Sequence, residues 1–189
     1  MSSIRLFVLS VLNEHGPMHG HQIRNQAQSD RTELWTEVKV GALYGALKRL
    51  AGEGLIAEVR SERVGNLPER TVYEITRQGR EALSAVHGQA LRTVVVRPDP
   101  FDLALVHAGR LDEQELAHVV TDRRDALASQ LNSVRHQGEA ADQWLSEAER
   151  MALGHLVTRL EAELRWHEDL LDRLPKIIAD FRRRSSADQ

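Results

Sequence analysis

The apolar positions of the first half of the chain change period twice. Ile4, Phe7, Val8, Val11 and Leu12 recur at spacings of three and four, the mark of a helix with one buried face, and Gly16-Pro17 ends it. A second short helix follows His19-Gly20, marked by Ile23 and Ala27, and frays into the polar run QSDRTE. In VGALYGALKRL, Val40 to Leu50, the residues Leu43, Leu47 and Leu50 define a third helical face, which Gly52 and Gly54 terminate. The period then falls to two. LIAEV and TVYEI read as strands, and RSERVGNLPER between them, with Gly65, Asn66 and Pro68, reads as a hairpin loop. Three short helices and a hairpin predict a winged helix-turn-helix. Thr76 is placed to cap a further helix running from Arg77 toward Val94.

The run VVVRPDPFD, with two prolines flanking Asp99, breaks this pattern and sets the expected boundary between residues 1–97 and 98–189. Everything beyond it reads as helix. Leu116, Val120, Leu127, Leu131 and Val134 form one stripe, interrupted by Arg123 and expected to end at Gly138. The longest helix is expected from Gln143 to Leu174, stopped by Pro175, with a seam of Leu145, Met151, Leu156, Leu160, Leu164, Leu170 and Leu171. At about 1.5 Å per residue it spans on the order of 45 Å, more than a small domain covers by itself, and a second copy of the chain would supply the partner helix. The terminal DFRRRSSADQ reads as a frayed end. The expected fold is therefore mainly α, an N-terminal winged helix-turn-helix with a small β-hairpin wing followed by an all-helical dimerisation domain.

Composition narrows the function. The 189 residues contain no cysteine, which removes disulfides, zinc-thiolate sites and thiol catalysis together and fits the cytoplasm. The run LFVLSVL after Arg5 is broken by Asn13, Glu14 and His15 and lacks a small-residue cleavage pattern, so it reads as a core helix, and no membrane partner is expected. The net charge of −3 argues for no anionic partner, yet residues 1–97 carry +3 and residues 98–189 carry −6. That asymmetry fits a nucleic-acid reader joined to a regulatory half, and it fits two solvated surfaces equally well. Nine histidines are present, but His15, His19 and His21 have no partner at a recognised ligand spacing, so no metal is expected. With no nucleophile elbow, phosphate-cradling glycine loop or acid-base pair, neither an enzyme nor a cofactor is expected.

The third helix carries the sharpest signal. An interior glycine costs about 1 kcal/mol relative to alanine, and this segment has two. With the leucines inward, Gly41, Tyr44, Gly45 and Lys48 share another face by the three-and-four rule. On one reading the glycines clear the backbone for a DNA groove, with Tyr44 and Lys48 as contacts and the helix N-terminus favouring a phosphate. On the other, Tyr44 is a half-buried aromatic and the glycines permit a close helix crossing. The candidate DNA-binding set is Lys39, Gly41, Ala42, Tyr44, Gly45, Lys48 and Arg49, with Arg60, Arg63 and Arg70 in or beside the wing. Candidate effector residues are Trp144, Met151, His155 and Trp166, all expected on the long helix. Trp144 and Trp166 are 22 residues apart, roughly 33 Å on a straight helix, so they cannot line one pocket in one chain. Trp166, beside His167, reads more readily as interface core than as a ligand platform.

The runs VLSVLNEHGPMHGHQIRNQ, VKVGALYGALKRLAGEGLIAEV and RTVYEITRQGREAL together resemble the PadR family of bacterial transcriptional regulators, across residues 4–83. That family has a Gly-Pro-x-x-Gly-Tyr-x-Ile turn, a Gly-x-Leu-Tyr-Pro-x-Leu recognition helix, a Glu-x-x-Gly-Leu-Ile approach to the wing and a Tyr-x-Leu-Thr-x-x-Gly exit. This chain departs from it at His21, Gly45 and Ala51, where the family has tyrosine, proline and glutamate. The resemblance implies a homodimer, usually a repressor, on an inverted-repeat operator, released by a small aromatic or hydrophobic effector. The alternative is a dimeric winged-helix module that binds protein without operator recognition.

Overall fold

Val8, Leu9, Val11 and Leu12 are buried along one side of helix α1 (Ser3–His15), where the apolar spacing placed a core face. The computed structural model describes residues 3–29, 40–62 and 70–187 and divides into two compact units, residues 1–95 and 96–189. In the first unit, α1 is followed by a two-residue strand β1 (Met18–His19), helix α2 (Gly20–Ser29), a 3-10 turn (Val40–Ala42), helix α3 (Leu43–Gly52), strands β2 (Ile56–Glu62) and β3 (Arg70–Ile75), and helix α4 (Arg77–Arg92). Ile23 on α2, the α3 leucines, Leu55, Ile56 and Ile75 close one core against α1. Replacing any one of these leucines by alanine costs about 2–5 kcal/mol.

The sheet has three strands where the hairpin alone was expected. Its order is β1-β3-β2, all antiparallel, with Met18 opposite Tyr73 and His19 opposite Val72. Two residues are too few to show a period, so β1 left no trace in the apolar pattern. The β2–β3 register shifts between Glu58 and Arg60, which leaves Val59 as the extra residue of a bulge, half-exposed on the bent strand. Thr76 caps α4 as expected, its hydroxyl accepting from the Gly79 amide at 3.0 Å, and the helix ends at Arg92, before Val94.

The second unit corrects several boundaries. Pro100 opens a short helix α5 (Pro100–Val106), capped by the Asp99 carboxylate, which accepts from the Phe101 amide at 2.9 Å. Helix α6 (Glu113–Ala141) starts at a capping box between Asp112 and Glu115 and runs past Gly138, which was expected to end it. Gly138 is instead a contact residue: a Cβ there would stand 2.5 Å from Leu153 Cδ2, so its missing side chain admits the neighbouring helix. That neighbour, α7, spans Glu147–Ala187, not Gln143 to Leu174. It starts where Ser146 and Glu149 exchange cap bonds, the Ser146 amide donating to Glu149 Oε2 at 2.7 Å and the Glu149 amide to Ser146 Oγ at 3.3 Å.

Pro175 lies inside α7 and does not stop it. An interior proline costs about 3 kcal/mol. Leu170, Leu174 and Ile178, on either side of it, are buried against Leu116 and Val120 of α6, and this packing holds the helix through the break. The terminal arginines are accordingly helical, not frayed. Nearer the turn, Leu131 and Val134 pack on Leu160, and Arg135 pairs with Glu161 at 2.5 Å, so α6 and α7 form an antiparallel hairpin. Among the described residues no helix is long and apolar enough to cross a membrane.

Arg123 explains the gap in the α6 stripe. Its Nε donates to His167 Nε2 at 2.9 Å, an Nη atom bonds the Asp99 carboxylate, and its guanidinium lies 4.6 Å from the Phe101 ring centroid. Because His167 Nε2 accepts, Nδ1 is left to donate to the Glu163 carbonyl at 2.8 Å. His167 is 1 % exposed, a buried residue on the α7 side that packs against α6. The Phe101 amide, and after it Arg123, hold the Asp99 carboxyl below the usual carboxylate range. A depressed native pKa stabilises the fold above the unfolded value and is lost as pH falls through the native one. In thermal melts taken from neutral to acidic pH, Asp99→Asn is therefore expected to show a shallower acid-side loss than wild type; parallel curves would remove Asp99 from the acid response.

Candidate nucleic-acid interface

The leucines of α3 decide what it presents outward. Leu43, Ala46, Leu47 and Leu50 are buried, while Gly41, Ala42, Tyr44, Gly45, Lys48 and Arg49 are exposed. Gly41 and Ala42 lie in the 3-10 turn that leads into the helix, and Gly45 is inside it. A Cβ built on either glycine meets nothing within 4 Å. Neither glycine therefore serves a close helix crossing among the described residues, and the cost of about 1 kcal/mol at Gly45 has no packing compensation there. Ala42 stands at the N-cap and supplies no side-chain bond to the first amides of α3.

Tyr44 is 55 % exposed, and its ring lies over the start of α2, beside Gly20. A shallow groove next to it is lined by His19, Gly20, His21, Tyr44, Arg70 and Tyr73. The rings of His19 and His21 stack with centroids 6.2 Å apart. His19 also caps α2: the Gln22 amide donates to His19 Nδ1 at 3.1 Å, and the His19 amide donates to Gln22 Oε1 at 3.0 Å. Burial, and then the Glu58 carboxylate, push the Tyr73 hydroxyl pKa up, so it stays a protonated donor at neutral pH.

Arg60 is exposed within β2, opposite Val72, and Arg70 is the half-buried first residue of β3. Lys39 and Arg63 lie outside the described residues. The burial of α3 thus puts most of the sequence-derived candidates on one exposed surface, and Tyr44 and Arg70 border the same groove. The stacked histidines and Tyr73 were missed, since their proximity depends on the β1–β3 pairing.

The effector candidates do not come together. Trp144 is 73 % exposed in a 3-10 turn before α7 and not on that helix. Met151 and His155 are exposed on α7, one turn apart. Trp166 stands among other residues: its ring meets Phe101 edge-on at 5.9 Å and His167 at 5.0 Å, beside Arg123. The sequence signals for that cluster were Trp166 itself and the arginine interrupting an apolar stripe.

Residues 8–85 match the model of the transcriptional regulator PadR-like family. No curated protein matches the sequence. Among solved structures, Bacillus subtilis PadR in complex with operator DNA is similar at TM-score 0.71 and 22% identity, over 92% of this chain and 98% of that one. The same Bacillus protein in complex with p-coumaric acid gives TM-score 0.67 and 21% identity, over 91% and 98%. The Vibrio cholerae virulence activator AphA gives 0.58 and 16%, over 95% and 98%. The N-terminal unit, with its buried leucines and outward α3, is thus a domain of the transcriptional regulator PadR-like family, on a chain that has the fold of the PadR regulators.

Proposed function

We propose that the protein is a sequence-specific DNA-binding transcriptional regulator, acting in the cytoplasm as a homodimeric repressor on an inverted-repeat operator and released by a small aromatic or hydrophobic effector. The observation that carries this reading is the outward face of α3, where two glycines border open space beside an exposed tyrosine and lysine. A backbone bare of side chains approaches a groove closely, Tyr44 and Lys48 reach bases or phosphates, and the N-terminus of α3 favours a phosphate oxygen. Arg60 and Arg70, with Lys39 and Arg63, would supply backbone contacts. In a dimer the two recognition helices enter successive major grooves about 34 Å apart.

Val119, Trp144 and Met151 are large apolar side chains left exposed by a single copy, and a second copy of the helical unit would cover them. Phe101 and Trp166 offer aromatic faces beside the Arg123 guanidinium, chemistry suited to an aromatic acid such as the p-coumaric acid bound by Bacillus PadR. Such a ligand would compete with Asp99 for Arg123. It acts as an effector only if it binds the DNA-free arrangement more tightly than the DNA-bound one.

Selection of bound fragments from the source genome tests the reading: recovery of a palindromic sequence whose affinity falls steeply with salt supports it. A chain that binds protein through its wing would enrich no sequence. Arg60→Ala and Arg70→Ala are each expected to weaken enriched and unrelated duplexes by the same factor and to lower the log-affinity against log-salt slope by about one. Loss of discrimination instead would mean that the wing reads bases.

A further inference from the structure

We infer that Gly20, at the start of α2, is a positioning residue that sets where the Tyr44 ring stands on the outward face of α3; the inference rests on the DNA-binding reading of that face. Gly20 is not needed for its backbone, because the positive-φ glycines among the described residues are Gly16 and Gly54. It is needed for its missing side chain. A Cβ on Gly20 would stand 2.8 Å from Tyr44 Cε1, 3.3 Å from Tyr44 Cδ1 and 3.2 Å from Leu47 Cδ1. The first of these is closer than carbon atoms approach without something moving.

The burial of the two neighbours decides which one moves. Leu47 is 1 % exposed within the first core and has nowhere to go, whereas Tyr44 is more than half exposed and can swing outward. Helix α3 offers the ring little support of its own. Gly41, one turn before Tyr44, and Gly45, directly after it, have no side chains, and Lys48, one turn on, is an exposed flexible chain. The ring is held from outside its own helix, by α2 through the space at Gly20. A methyl group there would leave the core standing and lift the tyrosine, and a displacement of about 1 Å at a binding group has large consequences for binding geometry.

The test is a double-mutant cycle of Gly20→Ala and Tyr44→Ala. The probes are the duplex that wild-type protein enriches from a random-sequence pool and a scrambled duplex of equal length. Gly20→Ala is expected to weaken the enriched duplex about tenfold, leave the scrambled one nearly unchanged and keep the melting temperature near wild type. In the Tyr44→Ala background the same substitution is expected to have no further effect, because the group it displaces is gone. Additive losses, wild-type affinity in Gly20→Ala, or failure of that variant to fold would each overturn the inference. Wild-type affinity in Tyr44→Ala alone would instead overturn the DNA face itself, and the role of Gly20 with it.

Discussion

Replacing Tyr44 and Lys48 together with alanine is expected to abolish binding to the duplex that wild-type protein enriches, while oligomeric size and thermal stability stay near wild type. Both side chains are exposed on α3, opposite Leu43, Ala46, Leu47 and Leu50, which carry the packing of that helix. Alanine is a better helix former than tyrosine, which offsets part of the packing that the ring makes over α2, and exposed substitutions of this kind shift stability by about 0.5 kcal/mol or less. On the proposed DNA-binding reading, two contacts at about 1–3 kcal/mol each amount, when removed, to a fall in affinity on the order of a hundredfold or more. Fluorescence anisotropy with the enriched duplex, beside calorimetric melting, separates the two effects. Undiminished binding would sink the assignment of this face, and a collapsed melting temperature would return Tyr44 to a structural role.

The largest expected effect on stability belongs to Gly79→Ala. Gly79 sits in the first turn of α4, where the chain leaves the sheet, and a Cβ there would stand 2.0 Å from the Leu55 carbonyl oxygen, 3.0 Å from the Leu55 carbonyl carbon and 2.8 Å from Ile75 Cγ1. The obstruction is backbone, and that backbone is committed: the Leu55 carbonyl accepts from the Thr76 amide at 3.1 Å, and the Thr76 hydroxyl is shared between the carbonyls of Gly54 at 2.8 Å and Leu55 at 3.1 Å. Relieving the clash pulls α4 off the sheet and breaks this junction, with Leu55 and Ile75 both in the first core. A cost of about 4 kcal/mol or more is expected, measured by urea denaturation. A change within about 1 kcal/mol would mean that the start of α4 shifts freely, against the bonds that hold it.

Legibility in the sequence followed how local the determining force was. Leu43, Leu47 and Leu50 announced the inner face of α3 because a helix with one buried side must repeat at that spacing, and the burial agrees. Thr76 was equally legible, since a cap is set by residues three apart. The long helices were misjudged where tertiary packing overrides local preference. Gly138 and Pro175 are helix breakers by intrinsic cost, and each is carried through by packing between α6 and α7, Gly138 against Leu153 and Pro175 between Leu174 and Ile178. The start of α7 was misplaced although Ser146 and Glu149 spelled out a capping box. At the candidate interface the outward placement of the α3 residues was legible, but the groove beside them was not, because it is assembled from α2, α3 and β3, brought together by strand pairing across more than fifty residues. The Arg123–His167 bond, likewise, joins residues 44 apart in sequence.

Strand β1 has a consequence for chain length. Short connections between helices are where proteins ordinarily tolerate inserted or deleted residues, and by position the run from Gly16 to Gly20 is such a connection. Here Met18 packs on the first core and faces Tyr73, while His19 faces Val72 and its ring caps α2. One residue more or less would exchange their faces, turning the imidazole toward the core and taking the cap from α2. The segment is thus a loop in length and a measured spacer in function, and homologous chains are expected to vary at its two middle positions, Met18 and His19 here, while keeping its residue count fixed.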